Sequence, residues 1–229
     1  MEKKRFYYNL FYPSILVFLM AFIKWLEYTF EFRLSFLGII PLKIEGLGGI
    51  LFSPLLHGDY DHLFSNLVPC WLLTFGLFYY YRDTAIKIFP IAWILPGILT
   101  WLLARGPYPH IGASGLVYTL AAFHIASGFI HREKGLMAFA MLVVFLYGSI
   151  IWGIFPEFFP EKNISWEGHL SGLITGIVLA IYFRKSGPQR KVWEWPEENT
   201  PEDDDENEYW NTHTSAGNKK DIHYSIKKD

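Results

Sequence analysis

The chain has little cysteine and little charge. Cys70 is its only cysteine, which excludes an intrachain disulfide. Charged residues make up 18% of the 229 residues, whereas hydrophobic residues make up 52% and aromatic residues 19%, both high for a soluble domain. The charge is also uneven, because residues 187–229 hold 6 basic and 11 acidic residues while residues 1–186 hold 14 and 11. The composition therefore favours a membrane protein with an acidic tail.

Long apolar runs divide the first part of the chain. A bilayer-spanning helix needs about 20 mostly apolar residues. Six runs approach that length, at residues 11–28, 63–80, 86–103, 114–130, 136–155 and 169–183. Pro69, Pro90 and Pro96 fall inside these runs, and proline is tolerated in membrane helices. The sequence predicts an all-α, polytopic membrane protein with a bundle of six transmembrane helices.

The first apolar run lacks a signal-peptide cleavage site. Basic residues precede it, but "FLMAFIKWLEY" contains no small-x-small pattern, so we expect a retained helix. With the N-terminus in the cytoplasm, and counting only the basic residues in the loops and near the ends of the spans, 11 lie on the cytoplasmic side and 4 on the other. This bias follows the rule that positive loops stay inside. Six spans then place both termini in the cytoplasm.

The chain is predicted to have two parts. Residues 1–186 form the membrane domain, and residues 187–229 have the composition of a solvated, disordered cytoplasmic tail. The loop over residues 29–61 is too interrupted by Gly and Pro to span and too apolar to be free in water. We expect this loop to lie at the outer membrane surface, partly embedded.

Polar residues converge at the outer ends of three predicted spans. The second, fourth and sixth spans all begin on the outer side, and they carry His62 with Asn66, Ser114, and His169 respectively. Polar groups inside a bilayer usually face a protein interior and mark function. His62 and Asn66 are four residues apart, as are Ser114 and Tyr118, so each pair shares a helix face.

Small residues predict which helices pack together. Gly168, Gly172 and Gly176 form a stripe on the sixth span, and Gly112 and Gly115 bracket Ser114. Such stripes let neighbouring backbones approach closely, which would bring His169 towards Ser114.

This arrangement favours nucleophilic chemistry. His169 could take the proton of Ser114, while His62 and Asn66 donate hydrogen bonds to an oxyanion. Gly112 would permit a tight turn before the serine, and Gly115 would remove bulk beside it. The structural alternative is that Ser114 caps a helix, the glycines serve packing alone and the histidines satisfy one another.

Three motifs in this order resemble the rhomboid family of intramembrane serine proteases. They are "HGDYDHLFSN" at 57–66, "GASGLVY" at 112–118 and "GHLSG" at 168–172. The resemblance implies a Ser114–His169 dyad without an acid, and Tyr118 stacked on the histidine. It implies oxyanion donors at His62, Asn66 and the backbone at Gly112 and Ser114.

The resemblance also has implications beyond the dyad. Residues 155–168 would cap the site, and the helix of the fifth predicted span would be a side gate. The first outer loop lacks the family's common Trp-Arg pair, and the second helix lacks its usual acidic motif. Glu167 is not expected to complete a triad.

Three other functions compete with a protease. A metal-dependent membrane hydrolase could use His57, Asp61 and His62 with His110 or His169, but it leaves Ser114 unexplained and lacks a His-Glu-x-x-His motif. A catalytically silent, client-binding relative would have lost the serine or the histidine. A channel or transporter would carry polar residues through the full membrane depth.

The expected partners are single-span membrane proteins and the lipid bilayer. No nucleic acid, metal or cofactor is expected, and the oligomeric state is left open. Cleavage is expected after a small residue near the outer end of a substrate span. We expect the host membrane to be a bacterial inner membrane, with the active site opening to the outer side.

Overall fold

The computed structural model describes residues 2–155 and 165–191 of the chain. Its long helices are α1 (Glu2–Thr29), α3 (Tyr60–Tyr80), α4 (Ala85–Leu103), α5 (Ser114–His131), α6 (Lys134–Tyr147) and α7 (Trp166–Tyr182). Short elements are α2 (Gly49–Phe52) and four 3₁₀ helices: Ser35–Leu37, Ile44–Gly46, Ser53–Leu55 and Gly148–Ile154. Within the described residues the only extended pairing is an isolated bridge between Ile39 and His110. The predicted all-α class is confirmed.

Three of these helices are long and apolar enough to cross a membrane. They cover Asn9–Thr29, Tyr60–Tyr80 and Ala85–Leu103. The other long helices, α5, α6 and α7, have 18, 14 and 17 residues and do not meet the same criterion of length and hydropathy. The apolar helices indicate an integral membrane protein, while the count of six spans stays a prediction.

Helix α5 lies at the centre of the bundle. It contacts α3, α4, α6 and α7, and Leu116, Leu120 and Phe123 are almost fully buried. Large apolar side chains on other helices point outwards; Phe145 of α6 is 86% exposed and Phe18 of α1 is 64% exposed. An apolar exterior of this kind fits a helix bundle surrounded by lipid.

Glycine sets the distance between α5 and α7. A Cβ atom added at Gly172 would collide with the carbonyl oxygen of Gly115 and lie 2.8 Å from Cβ of Tyr118. One added at Gly176 would collide with the carbonyl oxygen of Thr119. The backbones of the two helices therefore touch along the stripe, as close approach through small residues requires.

Two tryptophans of α4 hold the loop between α1 and α3. Trp93 Nε1 donates to the carbonyl of Leu51 at 3.0 Å, and Trp101 Nε1 donates to that of Lys43 at 2.9 Å. Leu42 and Ile44 in this loop remain 68% and 81% exposed. The loop is thus fixed to the bundle with apolar side chains on its surface, and its embedding in lipid stays a prediction.

Two predicted segments fall mainly outside the described residues. Residues 156–164, most of the predicted cap at 155–168, are among them, as are residues 192–229 of the predicted tail. The division into a membrane domain and a tail therefore stays a prediction.

Candidate active site

Ser114 and His169 meet where α5 and α7 begin. Ser114 is the first residue of α5, and His169 lies in the first turn of α7. His169 Nε2 is 2.9 Å from Ser114 Oγ, a hydrogen-bond distance. The close glycine packing of the two helices brings these residues together, because both lie at the same end of the shared interface.

Two further contacts orient the His169 ring. Its Nδ1 is 2.9 Å from the carbonyl oxygen of Gly153, which can only accept, so Nδ1 carries the proton. Nε2 is then the nitrogen that accepts the Ser114 hydroxyl proton. Tyr118 stacks on the imidazole with a centroid distance of 4.2 Å and an interplanar angle of 10°.

A carbonyl takes the position that an acid occupies in a triad. The partner of His169 Nδ1 is Gly153, in the 3₁₀ helix Gly148–Ile154, and not Glu167. Glu167 lies two residues before His169 on α7 and is buried, with 8% exposure. Sequence reasoning missed Gly153, because a backbone carbonyl has no residue signature.

Backbone hydrogen bonds fix the turn that leads into Ser114. Gly112 has φ +119°, a conformation that favours glycine, and its N–H donates to the carbonyl of Ser53 at 2.9 Å. The N–H of Ala113 donates to His57 Nε2 at 3.4 Å. The N–H of Ser114 belongs to the first turn of α5, where helical N–H groups have no partner within their own helix.

The predicted oxyanion donors differ in whether their hydrogen atoms are already bonded within the protein. The N–H of Gly112 already donates to Ser53. In this structure Gly112 therefore contributes its backbone conformation and not a free donor. The His62 ring lies against this glycine, since a Cβ there would be 2.7 Å from His62 Cε1 and Nε2. Asn66 Nδ2 donates to the carbonyl of His62 at 2.8 Å, which leaves one amide hydrogen for another acceptor.

Burial keeps His57 neutral. Its side chain is 2% exposed, and burial lowers its pKa to about 3. A neutral imidazole can accept from Ala113 N–H through Nε2, whereas a protonated one cannot. The His57 and His62 rings meet edge to face at 5.1 Å. His57 is therefore a supporting residue of the serine turn.

Charged residues at the end of α1 support this arrangement. Lys24 Nζ donates to the carbonyls of His57 and Gly58 at 2.9 and 3.0 Å. Glu27 pairs with Lys24 at 3.3 Å and accepts from the N–H of Leu34 at 2.6 Å. These contacts tie α1 to the chain just before α3, and sequence reasoning assigned neither residue a role.

A small cavity lies beside Ser114. Its volume is about 40 Å³, and it opens between α4, α5 and the first residues of α7. The lining includes Pro96, Gly97, Thr100, Gly112 and Gly115. A space of this size accommodates a methyl group or a few water molecules.

The described residues do not assemble a metal site. Among residues 2–155 and 165–191, no three His, Cys, Asp or Glu side chains converge as a metal ion requires. The set that a metal hydrolase would need, His57, Asp61 and His62 with His110 or His169, is therefore not assembled among these residues. Asp61 is exposed, and His57 is engaged with Ala113.

Comparisons with known proteins agree with the motifs. A family model described as a Rhomboid domain matches residues 45–186. An uncharacterized protein of Mycobacterium tuberculosis is 39% identical over 170 residues, which cover 70% of this chain and 68% of that protein. The Rhomboid-related protein 3 of Homo sapiens is 30% identical over 145 residues, which cover 59% of this chain and 36% of that protein.

Proposed function

The chain belongs to the rhomboid family, as its three motifs predicted, and we propose that it is an intramembrane serine endopeptidase. Ser114 would be the nucleophile and His169 its general base. The observation that carries the proposal is the 2.9 Å contact between His169 Nε2 and Ser114 Oγ. A serine needs such a base because its hydroxyl is a weak nucleophile at its ordinary pKa.

The proposed reaction follows from the hydrogen bonds of His169. Ser114 Oγ attacks a substrate carbonyl carbon and passes its proton to Nε2, while Gly153 accepts from the other ring nitrogen. The imidazolium then protonates the leaving amine, which completes acylation of the serine. Water attacks the acyl-enzyme with His169 again as base, and the serine is released.

Charge on the tetrahedral intermediate needs donors near Ser114. The Ser114 N–H, which points out of the first turn of α5, is one proposed donor. His62, beside Gly112, and the remaining amide hydrogen of Asn66 are the others. Donors placed before the charge develops stabilise the transition state without reorganisation.

The proposed membrane arrangement has six spans. Helices α1 and α3–α7 would cross the bilayer, with both termini in the cytoplasm and Ser114 near the outer face. The excess of basic residues on one side supports this orientation. The proposed location is a bacterial cell membrane.

The proposed substrates are single-span membrane proteins. A transmembrane helix hides its carbonyls in hydrogen bonds, so attack requires local unwinding. Unwinding is easier near Gly or Pro, which lower helix stability by about 1 and 3 kcal/mol against Ala. The cavity of about 40 Å³ beside Ser114 supports a small residue, such as Ala, just before the cut.

A silent, client-binding relative is the second candidate. It would not need a base at hydrogen-bond distance from the serine, nor a carbonyl and an aromatic ring holding that base. These contacts favour the protease.

Covalent labelling separates the two candidates. We expect a fluorophosphonate probe to label the purified wild type in detergent and not Ser114→Ala or His169→Ala. Ser127→Ala is the matched control, because Ser127 is a buried serine of the same helix far from His169. Equal labelling of Ser114→Ala and wild type would refute the assignment.

A further inference from the structure

A second pair of imidazole and hydroxyl lies beside the first. His110 Nδ1 is 2.7 Å from Ser165 Oγ. The partners are 55 residues apart, as are Ser114 and His169, and each lies four residues before one member of the dyad. The order is reversed, because the histidine now precedes α5 and the serine precedes α7.

Backbone hydrogen bonds fix His110 to the loop between α1 and α3. Its N–H donates to the carbonyl of Ile39 at 2.8 Å, and its carbonyl accepts from the N–H of Ile39 at 2.9 Å. Two residues later, Gly112 donates to Ser53 of the same loop. Backbone hydrogen bonds thus hold the segment that leads into Ser114 against this loop, while the His110 ring contacts Ser165.

Ser165 fixes the start of α7. It is the N-cap residue, and its Oγ accepts from the N–H of Gly168 at 3.3 Å. Its carbonyl accepts from the N–H of His169 at 3.1 Å. A displacement of Ser165 therefore moves the first turn of α7, and the general base lies in that turn.

The hydroxyl of Ser165 can satisfy both contacts at once. A hydroxyl has one donor and two acceptor sites, so it can accept from Gly168 and still bond the imidazole. Burial lowers the pKa of His110, although the nearby Glu167 carboxylate opposes this shift. The ring is then neutral near neutral pH, and Nδ1 can accept the Ser165 hydroxyl proton.

We propose that His110 and Ser165 are positioning residues that lock the start of α7 to the segment before α5 and so set the Ser114–His169 geometry. This inference rests on the proposed protease function. The glycine interface fixes how closely α5 and α7 approach, since a Cβ at Gly172 or Gly176 would collide with the backbone of α5. A displacement of about 1 Å can cost about 100-fold in rate, so a side-chain lock one turn from the dyad would matter.

The test compares variants that remove or keep the paired atoms. His110→Phe keeps a ring without nitrogen, and His110→Asn keeps a polar atom near the Nδ1 position. Ser165→Ala removes the hydroxyl, and Ser165→Thr keeps it. We would measure kcat and KM on a transmembrane substrate in detergent, together with the fluorophosphonate labelling rate and the thermal midpoint.

We expect His110→Phe and Ser165→Ala each to lower kcat and the labelling rate about tenfold or more, with KM changed by less than about twofold. His110→Asn and Ser165→Thr should keep most of the rate. The double variant His110→Phe/Ser165→Ala should be no slower than the slower single variant, because both changes remove one interaction.

Three results would overturn the positioning role. They are unchanged kcat in both His110→Phe and Ser165→Ala, fully additive losses in the double variant, and Ser165-dependent labelling of Ser114→Ala, which would make Ser165 a nucleophile. If His110→Phe does not fold, the Ser165 variants and the comparison of His110→Asn with wild type still test the positioning role. Failure of the proposed function is distinguishable, since the wild type itself would then neither cut nor label.

Discussion

The carbonyl oxygen of Gly153 lies 2.9 Å from Nδ1 of His169. The two residues belong to different elements, the 3₁₀ helix that continues α6 and the first turn of α7. This contact selects the ring tautomer that leaves Nε2 free to accept from Ser114. The resemblance implies a side gate at the fifth predicted span, which is α6 here, and movement of such a gate would also disturb His169, the proposed general base.

Replacing Gly153 by Ala should therefore impair catalysis. The added Cβ would collide with the Tyr118 hydroxyl and lie 3.1 Å from His169 Nδ1, so the Tyr118 side chain must move and the His169 ring must give slightly. We expect the rate to fall about tenfold or more, since a misplacement of about 1 Å can cost about 100-fold. Gly148→Ala is the matched control in the same 3₁₀ helix, because among the described residues its Cβ would meet only Val144 Cγ1, at 3.8 Å. Equal turnover of the two variants would contradict a role for this contact.

The oxyanion donors can be tested one at a time. Loss of one donor typically lowers the rate about 10²–10³-fold, and several donors share the charge here, so we expect Asn66→Ala and His62→Ala each to lose about tenfold or more. The double variant should lose more activity, although its Ser114 is unchanged. Ser65→Ala is the control, since Ser65 is exposed and its hydroxyl donates to the His62 carbonyl at 2.8 Å. Wild-type kcat in both single variants would remove these side chains from the mechanism.

The glycine stripe should tolerate no side chain. At Gly176 a Cβ would collide with the carbonyl oxygen of Thr119 and lie 2.7 Å from Cβ of Ala122. We expect Gly176→Ala to lower the thermal midpoint, because overpacking typically costs about 1–3 kcal/mol. Activity should fall too, since α7 carries His169. Gly58→Ala should change neither, because a Cβ there meets no atom of the described residues within 4 Å. An unchanged midpoint in Gly176→Ala would show that α5 and α7 can separate without loss.

Acid should destabilise the protein through His57. Its pKa is about 3 in the folded state against an ordinary 6.5, so the unfolded state binds more protons between these values. The stabilisation is complete above pH 6.5 and is lost progressively as the pH falls towards 3. We expect the thermal midpoint to fall less from about pH 7 to about pH 4 in His57→Gln than in wild type. Gln can still accept from Ala113 but does not titrate. Parallel curves for the two proteins would contradict this role for His57.

Helices and glycine packing could be predicted from the sequence because both leave periodic patterns. The apolar runs correspond to α1 and α3–α7, and spacing by four placed Gly172 and Gly176 on one face. Ser114 and His169 then lie together simply because they begin the two helices that the small residues bring into contact.

The supporting contacts could not be predicted, because they depend on how loops fold. Gly153 acts through a carbonyl, Ala113 binds His57 through its N–H, and Trp93 holds Leu51 through a backbone oxygen. Any residue supplies such backbone groups, so no spacing rule identifies them. The N–H of Gly112 illustrates the same point, since its engagement by Ser53 follows from the loop conformation.

The most direct test of the central claim is cleavage of a single-span substrate in reconstituted bilayers, with products identified by mass spectrometry. The substrate would carry Ala near the outer end of its span, and a matched substrate would carry Phe at that position. We predict one cut after Ala by the wild type, little cutting after Phe, and none by Ser114→Ala or His169→Ala. Cutting by Ser114→Ala at the wild-type rate, or cuts at the cytoplasmic end of the span, would contradict the account.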